Sequence, residues 1–151
     1  MGSALLREAH ALQDQPPLIL QDLEAGQLVP DSERKRLEAT MARWTPEVRR
    51  SFRLGHVIRA RLAEDTALAG LSEGRSDYVV LGAGLDTFAW RHPNADEFRI
   101  WEVDHPDTQA WKRSALAEAG MAEKPNVRFA PVDLNLTHLG DIRLPTRATW
   151  N

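Results

Sequence analysis

No cysteine occurs in the 151-residue chain, which excludes a disulfide framework and any thiolate metal site. No apolar run is long enough to cross a bilayer. The start, Met-Gly-Ser-Ala-Leu-Leu-Arg-Glu, lacks the basic flank and apolar stretch of a secretory signal. Lysine is scarce: Lys35, Lys112 and Lys124 are the only ones, so arginine carries most of the positive charge. A net charge of −3 leaves no basic footprint for a nucleic acid. A cytoplasmic protein that spans no membrane and binds no nucleic acid is the expectation. What the chain does have is 42% hydrophobic and 27% charged residues, the balance of a globular fold. Its length fits one compact domain or a piece of a larger one.

The first third reads as helix. Leu5, Ala9 and Leu12 fall at helical spacing over residues 3–13, and Pro16-Pro17 ends that element. A short second helix is expected over residues 17–28. Asp31 or Ser32 is expected to cap a third, with Leu37, Met41 and Trp44 as its apolar stripe. Arg34-Lys35-Arg36 reads as its solvated face. Thr45-Pro46-Glu47 is a strong start signal for a fourth helix, through Phe52, His56, Ile58 and Leu62 to a break near Gly70 or Gly74. From Asp77 the pattern changes. Tyr78-Val79-Val80-Leu81 reads as a strand buried on both faces, and residues 98–103 alternate like a second strand. His105-Pro106 opens a helix closed by Gly120. Residues 126–132 form a third strand, and a fourth begins over residues 146–151. Helices followed by β-α-β-α-β predict an α/β, doubly wound parallel sheet. An N-terminal helical segment over residues 1–75 then precedes the first half of a Rossmann-like domain over residues 76–151.

The chemistry concentrates in residues 79–86 (VVLGAGLD). A strand feeds Gly82-Ala83-Gly84, where missing side chains let a ligand lie against the backbone at the carboxyl end of the sheet. Asp104 follows Gly84 by 20 residues, the separation at which an acid reaches a ribose diol. Asp133, at the end of the third strand, adds a carboxylate to the same rim. A dinucleotide site wants a third glycine where this chain has Thr87, and Asp86 stands where a pyrophosphate would lie. A carboxylate there repels phosphates but tolerates a sulfonium or an ammonium. S-adenosylmethionine carries both cations and no phosphate, so the loop fits it better than NAD.

Residues 80–91 (VLGAGLDTFAWR), 101–112 (WEVDHPDTQAWK) and 129–134 (FAPVDL) resemble the leucine carboxyl methyltransferase-like family, and more closely its bacterial branch of S-adenosylmethionine-dependent methyltransferases. Residues 59–65 (RARLAED) resemble that family's paired arginines followed by two acids, and the likeness covers nearly the whole chain. The resemblance implies a Rossmann-like class I methyltransferase fold that this chain enters but leaves before the fourth strand. It implies that Gly82, Ala83 and Gly84 approach the methionine part of the cofactor and that Arg59 pairs with its carboxylate. Asp104 would hold the ribose hydroxyls, and Asp133 would accept from the adenine amino group with the Leu134 amide nearby. The implied reaction is methyl transfer to an unidentified acceptor, a carboxylate in the family's namesakes. No catalytic base is assigned.

Without its fourth strand, Tyr78 to Leu81 would lie on an open sheet edge, which predicts a homodimer or a non-catalytic, self-associating module. A NAD-dependent oxidoreductase is the further alternative. Blander roles stand beside each of these. Asp133 can cap its own turn, Asp86 the short helix after the loop, and Arg59 and Arg61 can make surface ion pairs. Glu102 reads as a strand-face or supporting residue. Trp90, Trp101 and Trp111 read as packing groups. The five histidines show no metal spacing.

Overall fold

The computed structural model describes residues 1–144. Four helices come first: α1 (Gly2–Gln13), α2 (Glu24–Gln27), α3 (Asp31–Met41) and α4 (Pro46–Ser72). Then follow β1 (Asp77–Leu81), the short α5 (Phe88–Arg91), β2 (Arg99–Asp104), α6 (Pro106–Glu118) and β3 (Val127–Pro131). The strands are parallel in the order β1-β2-β3, with Val80 opposite Glu102 and Glu102 opposite Phe129. This is the expected α/β architecture, three parallel strands of a Rossmann-like sheet. The strand expected over residues 146–151 lies outside the described residues.

Local chemistry explains the sharpest boundaries. α4 opens at Thr45, whose Oγ1 accepts from the Val48 amide at 3.3 Å, with Pro46 in the first turn where no amide is needed. α6 opens on His105, whose Nδ1 accepts from the Asp107 amide at 3.2 Å. Gly120 (φ +69°) closes it in the left-handed region, and the Met121 amide returns to the Leu116 carbonyl.

Several expectations need correction. Only Glu24–Gln27 of the second helix is helical. Tertiary partners take the preceding backbone instead: the Ile19 amide donates to His10 Nε2 at 3.1 Å, and its carbonyl accepts from Arg61 at 3.0 Å. Asp22 Oδ1 caps α2 by accepting from the Ala25 amide. In α3 the cap position is Pro30, and Asp31 is already in the first turn. Arg34 is only partly solvated: it grips both carboxylate oxygens of Glu8 and the Gly26 carbonyl, pinning α3 to α1 and α2. The strand expected to be buried on both faces is not β1, where Val79 and Leu81 are 40% and 49% exposed. It is β2, whose Ile100, Trp101, Glu102 and Val103 are all buried. Among the described residues β1 lies at an edge while β2 has a neighbour on each side, and the charge of Glu102 is met internally.

Two apolar clusters hold these elements together. Leu5 of α1, Leu28, Leu116 of α6 and Leu85 from the loop after β1 form one. Phe88, Phe98, Ile100 and Val127 form the other, with Tyr78 packed against it. Tyr78 and Phe98 each meet Phe88 nearly edge to face, at centroid separations of 5.1 and 5.5 Å. Burying a side chain such as Phe88 contributes roughly 2–3 kcal/mol.

Candidate functional site

The parallel sheet brings its carboxyl ends to one rim, where β1 runs into Gly82-Ala83-Gly84 and β2 ends at Asp104. Gly82 (φ +64°) and Gly84 (φ +48°) adopt left-handed conformations that side chains disfavour. A Cβ added to Gly82 would meet nothing within 4 Å, so the space beside the loop is open. The loop folds back on β2: the Gly82 amide donates to the Val103 carbonyl at 2.8 Å, and the Gly84 amide to Asp104 Oδ2 at 2.5 Å. Asp104 Oδ1 accepts from the His105 amide at 2.7 Å. Each carboxylate oxygen keeps a second lone pair for a ligand hydroxyl.

Three different elements hold the next three residues. Arg7 of α1 donates to the Leu85 carbonyl at 2.6 Å, Lys112 of α6 to the Asp86 carbonyl at 2.7 Å, and the Thr87 hydroxyl to Asp22 Oδ1 at 2.7 Å. Asp22 is wholly buried, with Arg7 Nε at 2.6 Å and Arg91 Nε at 3.5 Å. Arg91 also pairs with Glu64, whose carboxyl burial raises above its ordinary value while Arg91 pulls the other way. Lys112 meets Glu102 at 2.5 Å, with both side chains 1% exposed. Burial pushes the Glu102 carboxyl up to about 7 against the pull of Lys112, and its Oε1 has no hydrogen-bond partner among the described residues. Asp86 Oδ1 caps α5 by accepting from the Phe88 amide at 3.0 Å.

A cleft of about 440 Å³ lies between this loop, α1 and α4, lined by Arg7, His56, Arg59, Gly82, Gly84 and Asp86 among others. That is an ordinary size for a small-molecule site. Arg59 is exposed and makes no hydrogen bond or ion pair among the described residues. Arg61 instead pairs with Asp65 at 2.7 Å. His56 Nδ1 lies 2.8 Å from the Phe52 carbonyl. A carbonyl only accepts, so this nitrogen carries the proton and the neutral ring's Nε2 is an acceptor.

A family profile described as leucine carboxyl methyltransferase matches residues 1–142. The chain belongs to the leucine carboxyl methyltransferase family. It is 39% identical over 82 residues to the Bacillus subtilis (strain 168) protein named "Putative S-adenosyl-L-methionine-dependent methyltransferase YktD", a match covering 54% of this chain and 27% of that protein. A relative of the same descriptive name from Mycolicibacterium gilvum (strain PYR-GCK) is 36% identical over 90 residues, or 60% of this chain and 29% of the relative. Each match thus spans less than a third of the relative's own length.

Within this leucine carboxyl methyltransferase family chain, the structure gathers Arg59, Gly82, Ala83 and Gly84 around one cleft, and Asp104 joins them through Gly84. Asp133 and Leu134 do not line that cleft. Asp133 Oδ1 accepts from the amide and side-chain nitrogens of Asn135 at 2.9 and 3.1 Å, closing its own turn. Its Oδ2 is 4.0 Å from His105 Nε2, and Leu134 is half-buried on the same turn. Sequence reasoning missed Arg7, Asp22 and the inward role of Lys112. Asp22 gave no signal, being a lone acid in an irregular stretch. Lys112 did give one: it is a rare lysine in an arginine-rich chain, 10 residues after an acid in an apolar strand.

Proposed function

We propose that the chain carries the S-adenosylmethionine-binding part of a methyltransferase. The observation that supports this best is the meeting, in one cleft, of an unpaired guanidinium, an open left-handed glycine loop and an acid. That donor set suits a zwitterionic sulfonium. Arg59 would take the amino-acid carboxylate with a bidentate fork, and Asp86 tolerates the neighbouring cations. Gly82 and Gly84 leave room for close backbone approach, and Asp104 has lone pairs free for a ribose diol. Asp133 and the Leu134 amide would take the adenine from the next turn along the rim. The bound group supplies an electrophilic methyl on a sulfonium, transferred by in-line displacement. The chain's own contribution is to bind, orient and exclude water, since little charge must be moved by side chains. A carboxylate acceptor goes with this reading, as in the family's name, because it is already ionised at neutral pH and needs no base. The reading also includes a cytoplasmic location and the division into a helical segment (residues 1–75) and a cofactor-binding segment (residues 76–151).

NAD is the poorer ligand. α5 is only four residues long, and the Asp86 carboxylate already takes its Phe88 amide, which leaves a pyrophosphate no free helix end.

The test is isothermal titration of S-adenosylhomocysteine into the purified chain, with NAD and Asp104→Ala as controls. Micromolar binding, weakened at least about tenfold in the variant, is expected, since charged-group hydrogen bonds contribute roughly 1.5–3 kcal/mol. Equal or tighter binding of NAD would sink the reading. A second reading, self-association of the chain through β1, is favoured by the exposure of Val79 and Leu81 on a strand that has one neighbour among the described residues.

A further inference from the structure

The residues that shape the glycine loop from behind lie in the N-terminal segment, far from it in sequence. Leu85 and Thr87 follow Gly84 directly, and neither finds its polar partner locally. The Leu85 carbonyl accepts from Arg7, 78 residues earlier, and the Thr87 hydroxyl donates to Asp22, 65 residues earlier. Arg7 and Asp22 bind each other at 2.6 Å, so the two tethers form one rigid unit. Both are buried, and Asp22 has no exposed surface at all. The unit is anchored further: Asp22 Oδ1 also caps α2 through the Ala25 amide, and Arg7 reaches Ser3 Oγ at 3.1 Å. The Leu85 side chain packs into the apolar cluster of α1, α2 and α6, which fixes the same stretch sideways. On its open side this stretch lines the cleft that holds Arg59 and the glycines.

We propose that Arg7 and Asp22 are positioning residues for the cofactor loop. They hold Leu85 and Thr87 so that Gly82-Ala83-Gly84 keeps its left-handed, open shape before any ligand arrives. The proposal rests on the cofactor reading for its ligand, but not for the tether itself. A preorganised loop binds more tightly because ordering it costs nothing at the moment of binding. Thr87 occupies the place where a dinucleotide fold has its third glycine, and its hydroxyl gives that position a different job: linking the loop to the N-terminal segment.

The deciding variant is Thr87→Val, which removes the hydroxyl at constant shape, with Thr87→Ser restoring it. Asp22→Asn serves as a second probe, since it leaves an acceptor for Thr87 but turns a donor toward Arg7. Two measurements are made at a temperature where every variant is folded by circular dichroism. One is hydrogen exchange of the Gly84 and Asp86 amides, bonded to Asp104 and to the Ala83 carbonyl, in the ligand-free chain; the other is titration with S-adenosylhomocysteine. Thr87→Val is expected to speed exchange and to weaken S-adenosylhomocysteine by about tenfold each, as losing a hydrogen bond to a charged group would. Thr87→Ser should stay within about twofold of wild type on both, because its hydroxyl can remake the bond. A group that merely stabilised the fold would speed exchange of core amides such as that of Ile100 in β2 as much as those of the loop and leave affinity in folded protein unchanged, and that result would overturn the proposal. Unchanged exchange and affinity in both Thr87→Val and Asp22→Asn would overturn the proposal. Faster exchange in a protein whose wild type fails to bind S-adenosylhomocysteine would uphold the tether and fell the cofactor reading alone.

Discussion

Arg59 and Arg61 are neighbours but one on α4, about 200° apart around the helix, and their surroundings give them opposite roles. Arg61 spends its guanidinium on Asp65 and the Ile19 carbonyl. Arg59 faces the cleft with no partner among the described residues. An exposed, unpaired cation contributes almost nothing to folding, and replacing it changes stability by within about 0.5 kcal/mol. It is free to bind an anion. Arg59→Ala is therefore expected to weaken S-adenosylhomocysteine by roughly 10- to 100-fold, the equivalent of one charge-assisted pair, with the unfolding midpoint unmoved. Arg61→Ala should leave affinity within about twofold, as expected for a surface pair worth 0–1 kcal/mol. Titration calorimetry and thermal unfolding on the same samples read both. Equal losses in the two variants would remove Arg59 from the site. The sequence shows that Arg59 and Arg61 point to different sides of α4 but not which side meets the glycine loop. What separates them is the acid at position 65, four residues beyond Arg61, and the loop carbonyl that only the fold brings near.

At the scale of elements, β2 and α6 meet through Glu102 and Lys112, and that contact carries a pH dependence. An exposed Glu titrates near 4.5, whereas burial pushes Glu102 to about 7 in the folded chain. The native state thus holds this proton more tightly than the unfolded state does. Its stabilising contribution is complete below about 4.5 and is lost as the pH climbs toward 7. The change across that window is on the order of 3 kcal/mol. Asp14, held below its ordinary value by Arg53, acts only at lower pH and in the opposite sense. Burial also raises Glu64, which acts in the same sense, and lowers His92, which acts in the opposite one, so urea unfolding between pH 5 and 8 should show stability falling less steeply with pH in Glu102→Gln than in wild type. An identical slope in the variant would rule Glu102 out as its source. The same contact explains why β2 was misread. An acid at an interior position makes an apolar strand look like an alternating, half-exposed one. The internal lysine that answers it comes from another element. The helix starts at Thr45 and His105 were legible because their caps and prolines are local. The 17–23 stretch was not, because its backbone partners, His10 and Arg61, lie on other helices.

For the whole molecule, the question is what β1 does with its open side. Among the described residues it pairs with β2 alone, and Val79 and Leu81 stand 40% and 49% exposed. Apolar surface continues beyond the strand: a cleft of about 590 Å³ between α4 and β1 is lined by Leu62, Ala67, Tyr78 and Phe98. Phe52 and Ile58 of α4 are also half exposed, at 50% and 51%. Among the described residues the outer backbone groups of Tyr78 to Leu81 face no strand, and an apolar, β-branched edge of that kind is a template for another strand, such as β1 of a second copy. Edge pairing between two copies would satisfy backbone groups that water otherwise solvates and bury side chains that the monomer leaves wet. Sedimentation of the purified chain is thus expected to show a monomer–dimer equilibrium that shifts with concentration. Val79→Lys should hold the chain monomeric, since an ammonium on the edge strand stays hydrated in the monomer but must be desolvated in the pair. The substitution sits at an exposed position, so helix content and the cleft at Gly82 should survive it, and affinity for S-adenosylhomocysteine should persist. A wild-type chain that stays monomeric at every concentration would remove β1 as an association surface and leave the cofactor cleft untouched. Loss of binding in monomeric Val79→Lys would instead show that the glycine loop needs a strand on both sides of β1, which ties the site's integrity to whatever completes the sheet.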